Sequence, residues 1–327
     1  MTAISLAHES AKRYHNGCFF DVLLRLTMVF RFVPLFCAVV ACFTQLSCKG
    51  GEEIAKGNDG PSSVWKVEKD GKRLYLGGTI HLLRREDHPL PAVFDQAYND
   101  STKVVFELPP DSEGDPKAAQ LMQKLGAYGP EDRLADHISP ATMQLLQAWL
   151  KKHQQSLELF TSMKPWMLAL TIAATEYQRI GAEPAYGVDQ HFEERARRDG
   201  KSTMGLETVE FQLNIFAGLS AELQEELLLQ TLSEAEAIRE DFEELLTAWH
   251  RGDADKLQRF LFRDADKYPD LMEAFLTRRN KSWVQPVMEH LKGDGTAFVL
   301  VGAGHLGGEN GLIDLLTKQG CTVTQLP

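Results

Sequence analysis

The chain has 327 residues, with 35 Lys and Arg against 46 Asp and Glu, a formal charge of −11, and five cysteines. So acidic a body is a poor binder of nucleic acid. It contains no Cys-x-x-Cys, P-loop, Gly-x-Ser-x-Gly elbow or His-Glu-x-x-His helix, which removes several common chemistries.

The first part does not read as folded structure. From Met28 the sequence runs MVFRFVPLFCAVVACFTQLSC: Arg31, an apolar run from Phe32 to Phe43, then small residues before Cys48. This is a secretory signal pattern, and the apolar run is too short for a membrane span. Met28 is a candidate start, because residues 1–27 form no clear element. Gln45-Leu-Ser-Cys48 resembles a bacterial lipobox with Leu one position nearer the Cys than usual, so Cys48 is the expected lipidation site. An ordinary signal peptide or an uncleaved anchor are the alternatives. Residues 48–63 read as a flexible, polar and Gly-rich tether. Removing residues 1–47 takes away Cys18, Cys37 and Cys42, and a lipidated Cys48 then leaves Cys321 without a disulfide partner. That leader carries Lys12, Arg13, Arg25 and Arg31 against Glu9 and Asp21, a net +2, so the remainder stands at −13.

Residues 64–327 read as one α/β domain, a central mixed β-sheet flanked by helices with a large helical insertion between its two sheet-forming parts. Val64–Glu68 and Arg73–Gly78 are short alternating runs, and Asp70-Gly71 between them is a strong hairpin signal. A helix is expected over Leu90–Asn99 and a buried strand at Val104–Phe106. After Pro109-Pro110 the pattern turns helical at Pro116–Gly126, at Ser139–His153 with Ser139 as cap and Pro140 in the first helical position, and at Lys164–Ile180. Gly187–Asp199 is a further helix and Lys201–Leu206 a candidate strand. Helices then dominate from Thr208 to about Leu291, with Ser233 as one capped start. Strand Thr296–Val301, helix Gly308–Lys318 and strand Cys321–Gln325 close the chain.

Two segments 224 positions apart share one pattern: Leu74-Tyr-Leu-Gly-Gly78-Thr-Ile-His81 and Ala297-Phe-Val-Leu-Val-Gly302-Ala-Gly-His305. Each runs apolar and β-prone into Gly-x-x-His. The Gly would let the backbone turn where the strand stops, delivering an imidazole at the strand's carboxyl end, where open α/β sheets bind ligands. Lys103-Val-Val-Phe-Glu107 repeats the geometry with a carboxylate. His81, Glu107 and His305 are therefore candidate ligands for one divalent metal. A buried Glu107 also demands a cation nearby, whether a metal or an Arg.

These residues resemble the TraB/GumN family, which includes the Tiki-type proteases. The matching segments are Leu76-Gly-Gly-Thr-Ile-His81, Val104-Val-Phe-Glu107-Leu, Gly187-Val-Asp-Gln-His-Phe192, Gly205-Leu-Glu207-Thr-Val-Glu210-Phe-Gln212, Arg278-Arg279-Asn280, and the run from Val301 through His305 and Gly311 into the last helix. They stand in the family's order across nearly all of residues 64–327. The resemblance implies an α/β fold with both Gly-x-x-His motifs and the Glu at one site. For the Tiki branch it implies metal-dependent peptide cleavage favouring Mn or Co, with Zn or Fe as further options. Other members are regarded as regulators, and related lipoproteins bind haem.

Blander roles compete with these. Glu210 suits a helix start through the dipole, whereas Glu207, just behind a strand, is a catalytic candidate. Asp189 is expected to cap its helix. His137, His153, His191, His250 and His290 read as surface residues, and His88 as a solvated loop residue, with a place at the border of the site as the alternative. Gly302-Ala-Gly304-His-Leu-Gly307 matches a dinucleotide fingerprint, but the final strand, Cys321–Gln325, lacks the acidic residue that motif needs.

The expected function is a metal-dependent, peptidase-like hydrolase of the cell envelope acting on a peptide or protein, reaching the membrane through its N-terminal lipid or signal anchor. His81, Glu107 and His305 would hold the ion. Glu107 or Glu207 would relay the proton, and Arg279 and Asn280 would orient substrate or stabilise the oxyanion. The rival is a non-catalytic envelope protein that sequesters a peptide or haem, with Tyr75 and Tyr98 close in sequence to the first motif.

Overall fold

The computed structural model describes residues 60–262 and 269–327, apart from 111, 113 and 114. The signal segment, Cys48 and the tether up to residue 59 lie outside the described residues. Strands β1 (Val64–Lys69) and β2 (Lys72–Thr79) form the expected hairpin, with both turn residues, Asp70 and Gly71, in the left-handed region at φ 50° and 74°. That pairing of positive dihedrals matches the twist of the flanking strands. Helix α1 (Ala92–Asp100) leads into β3 (Lys103–Phe106).

Helices α2 (Pro116–Gly126), α3 (Pro140–Lys152), α4 (Pro165–Arg179) and α5 (Val188–Asp199) then precede β4 (Ser202–Gly205). Ser139 caps α3 by accepting from the Thr142 N–H, with Pro140 in the first turn, as its sequence dictates. The second helical stretch contains α6 (Val209–Ala217), α7 (Ala221–Glu234), α8 (Ile238–His250), α9 (Ala254–Leu261) and α10 (Pro269–Met272). A π-helical turn, Glu273–Thr277, joins α10 to α11 (Arg278–Lys292). Strand β5 (Ala297–Gly302), helix α12 (Leu312–Lys318) and β6 (Thr322–Gln325) complete the domain.

Two elements differ from the sequence reading. Ser233 starts no helix: it lies in the last turn of α7, where its hydroxyl donates to the Leu229 carbonyl and so is not free to cap, and the next helix starts at Ile238. The last helix begins at Leu312, not Gly308, since Gly308 and Asn310 adopt positive φ of 70° and 62° and spend the intervening residues in a turn.

The six strands run β4-β3-β5-β2-β1-β6, with β4, β3, β5 and β2 mutually parallel and β1 antiparallel to both its neighbours. Strand β5 is wholly buried and feeds both faces. Phe298 and Leu300 join the larger core with Phe94, Phe192 and Trp249 from the helices, while Val299 and Val301 pack with Trp283, Val287 and Leu316 on the other side. An unbroken apolar run is what a parallel strand covered on both faces requires. Among the described residues no helix is long and apolar enough to cross a membrane.

Candidate functional site

The four parallel strands deliver four side chains to one edge of the sheet. Glu107 follows β3 directly, Glu207 lies two residues beyond β4, His81 two beyond β2, and His305 three beyond β5. The ladder continues past β3 and β4, with Leu206 N–H donating to Phe106 and Glu207 N–H to Glu107, so the two carboxylates leave the sheet side by side. The sequence assigned the motif glycines a turn, and the structure corrects this. Neither Gly78 nor Gly302 has positive φ. Gly78 is needed for close packing, since a Cβ there would meet Leu306 at 2.9 Å and the Ala303 backbone at 3.2 Å. Gly302 contributes its N–H, which donates to Glu107 Oε1 at 2.7 Å.

At the centre lies Arg279, only 1% exposed. Its Nε donates to Glu207 at 3.0 Å, and its Nη2 to Glu107 at 2.7 Å and to Glu207 at 2.9 Å. Nη1 donates to the Phe275 carbonyl at 3.4 Å and faces His305 Nε2 at 3.2 Å. Its guanidinium carbon stands 4.8 Å from the Trp283 ring centroid, a cation–π contact. Burial works against the guanidinium's charge, yet the two carboxylates outweigh it and hold the Arg279 pKa above its ordinary value. Arg279 is therefore the cation that buried Glu107 demanded, shared with Glu207.

The two imidazoles are held alike. Asn280 donates through Nδ2 to the carbonyls of Asn310 at 2.8 Å and His305 at 3.3 Å, which fixes the amide and turns its Oδ1 to His305 Nδ1 at 2.5 Å. His305 Nδ1 thus carries the proton and Nε2 keeps its lone pair. Burial, then the nearby charges of Arg279 and His81, push the His305 pKa well below the ordinary range. On the other strand His81 Nδ1 lies 2.5 Å from Asp189 Oδ2, while its Nε2 is buried and has no hydrogen-bond partner. Burial lowers the His81 pKa, but the Asp189 carboxylate more than offsets that and raises it overall. Glu107 is shifted up by burial despite Arg279.

The arrangement revises several sequence assignments. Asp189 does not cap α5: the cap position is Gly187, and the carboxylate is spent on His81. Asn280 is committed through Nδ2 and Oδ1 to the His305 turn, so it positions an imidazole and has no free hydrogen for an oxyanion. Sequence reasoning missed Gln212, whose Nε2 lies 3.1 Å from Glu207 Oε2 and 3.4 Å from Glu107 Oε2 while its buried Oε1 has no partner. His153 is not a simple surface residue. It stacks on Trp149 with ring centroids 4.2 Å apart and sits 2.8 Å from buried Glu176. Tyr75 and Tyr98 stay out of the site, each spending its hydroxyl elsewhere, on Asp100 and Asp199. His88 borders α5, facing the Tyr186 carbonyl and His191.

Among the described residues no group of three His, Cys, Asp or Glu side chains is arranged to hold a metal. Arg279 contacts His305 and both carboxylates, while His305 Nε2 stands 3.9 Å from Glu107 Oε1. The chemistry of the donors nevertheless fits a divalent ion: two imidazoles anchored through Nδ1 present Nε2 inward, the manner in which metal-binding histidines are oriented. One of those nitrogens is buried and unpaired.

A mixed α/β domain that gathers paired Gly-x-x-His turns and two buried carboxylates at its parallel strand ends defines the class. Residues 63–325 match the TraB/PrgY/gumN family, and the chain belongs to that family. It is 25% identical over 258 residues to the uncharacterized protein YbaP of Escherichia coli (strain K12), covering 75% of this chain and 88% of that one. It is 24% identical over 318 residues to the metalloprotease TIKI1 of Danio rerio, covering 81% of this chain and 63% of that protein. No solved structure matches.

Proposed function

We propose that the protein is a metal-dependent, peptidase-like hydrolase of the cell envelope that acts on a peptide or protein. The observation that carries this reading is His81: an imidazole anchored at Nδ1 by Asp189 whose buried Nε2 has no partner, an orphan that costs free energy unless something occupies it. Charge supports it too. Three carboxylates, Glu107, Glu207 and Asp189, stand with one guanidinium, Arg279, an excess of acidic groups that a cation would offset. The distant relative TIKI1, named a metalloprotease, points the same way.

His81, His305 and Glu107 would hold the ion, with Mn or Co favoured and Zn or Fe as alternatives. A bound divalent metal supplies a water of lowered pKa and polarises the scissile carbonyl. Asp189 and Asn280 set the two imidazoles with Nε2 inward. Glu207, or Glu107 where it is not a ligand, would relay the proton. Arg279, anchored on Glu207, supplies positive charge where an oxyanion would develop. The envelope location rests on the signal pattern and Cys48.

Elemental analysis of the untagged protein, followed by cleavage of a peptide library with and without chelator, tests the reading. Stoichiometric metal is expected, with activity lost on chelation, restored by Mn²⁺ or Co²⁺, and abolished in His81→Ala and His305→Ala. Cleavage that persists in chelator overturns metal dependence. A protein that neither contains nor binds metal and cleaves nothing favours the non-catalytic binder.

A further inference from the structure

We infer that Arg279 is the resident cation of this site, and that loading of a metal requires its guanidinium to withdraw from His305 and Glu107 while staying on Glu207. This rests on the proposed metal dependence. His305 presents the lone pair of Nε2 not to an empty space but to Arg279 Nη1 at 3.2 Å, and Glu107 Oε2 takes Arg279 Nη2 at 2.7 Å. Two of the three candidate ligands therefore spend their donor atoms on one side chain. Only His81 Nε2 is left free. A guanidinium has no lone pair to offer an ion and repels it, so ion and side chain compete for the same two partners.

The contacts also say which way the side chain yields. Arg279 Nε is bound to both Glu207 oxygens at 3.0 Å, and Nη2 to Glu207 at 2.9 Å, so a fork on that one carboxylate survives when the contacts to His305 and Glu107 open. Glu207 itself is steadied by Gln212 Nε2 at 3.1 Å. Asn280 keeps His305 in place from the neighbouring helical position. The side chain that partly offsets the carboxylates of the metal-free site thus becomes a charge held next to the ion. Glu207 serves as its parking place, not as a ligand.

The test is the affinity of the full-length protein for Mn²⁺, measured by titration calorimetry at fixed pH. Arg279→Met removes the competing charge and keeps much of the volume; it is expected to bind Mn²⁺ at least tenfold more tightly than wild type. Arg279→Lys keeps a charge and is expected to show no such gain. Because the Met variant leaves two buried carboxylates unpaired, a measurement on folded wild type stands beside it. Diamagnetic Zn²⁺ should change the emission of the indole that both the guanidinium and the His305 ring flank, and Trp283→Phe should lose that change. Wild type that binds Mn²⁺ while a folded Arg279→Met binds it no better overturns this inference alone, as does a Zn²⁺ response unaffected by Trp283→Phe. Failure of both wild type and variant to bind any metal overturns the inference together with the function it rests on.

Discussion

Replacing Gly187 by alanine would place a Cβ 2.1 Å from the carbonyl oxygen of His81 and 3.0 Å from that of Pro184, both backbone atoms with no rotamer to yield. A comfortable carbon–oxygen approach is about 3.3 Å, so the start of α5 and the His81 turn must separate by roughly 1.2 Å. Asp189 rides on that helix start. Its 2.5 Å contact with His81 Nδ1 would open to about 3.7 Å, beyond hydrogen-bond range. Overpacking of this kind costs about 1–3 kcal/mol, and for a domain of this size the melting temperature should fall by about 2–4 °C for each of those. Loss of an imidazole's outer partner typically costs about 10- to 100-fold in metal affinity. Gly129→Ala is the control, since its added Cβ meets nothing within 4 Å and should change stability by less than about 0.5 kcal/mol. Thermal unfolding and Mn²⁺ titration of wild type and both variants decide the matter. A Gly187→Ala protein with wild-type melting temperature and metal affinity would refute the claim that this close approach sets the His81–Asp189 pair.

Two further outcomes are expected. Burial, followed by the neighbouring charges of His88, Arg195 and Arg198, holds the His191 pKa below its ordinary value of 6.5. The folded protein then resists a proton that the unfolded chain accepts. Stability from neutral His191 is therefore full above about pH 6.5 and is lost as pH falls below it. Denaturation midpoints of wild type and His191→Phe should diverge in that direction between pH 7.5 and 5, and a pH-independent difference would count against it. Cys48→Ala should block lipidation and shift the protein out of the detergent phase; unchanged processing and partitioning would sink the lipoprotein assignment.

The sheet and most of the site were legible because they rest on short-range patterns. The Asp70-Gly71 turn, the apolar run of β5 and the two Gly-x-x-His echoes each announce themselves within ten residues, and the family motifs supplied Glu207, Arg279 and Asn280. What escaped depends on partners remote in sequence. Asp189, in the first turn of a helix, has the ordinary look of an acid favoured by the dipole; only the fold shows His81, 108 positions away, as its partner. Gln212 is a polar residue inside a helix, and nothing nearby reveals that it lies between two carboxylates. Ser233 was misread for the converse reason, since its local capping pattern does not show that the hydroxyl is already bonded to the Leu229 carbonyl one turn back.

The place of β5 in the sheet has a temporal consequence. It lies between β3 and β2, yet it begins at Ala297, almost 200 residues after β3 ends at Phe106. Until it arrives, β2 and β3 have no common neighbour and keep raw hydrogen-bonding edges. A chain emerging N-terminus first from a ribosome cannot assemble this sheet until β5 is free. Such long-range parallel pairing is slow. The same delay acts as a safeguard: a chain cut before β5 cannot bring His305 to the sheet edge that carries His81.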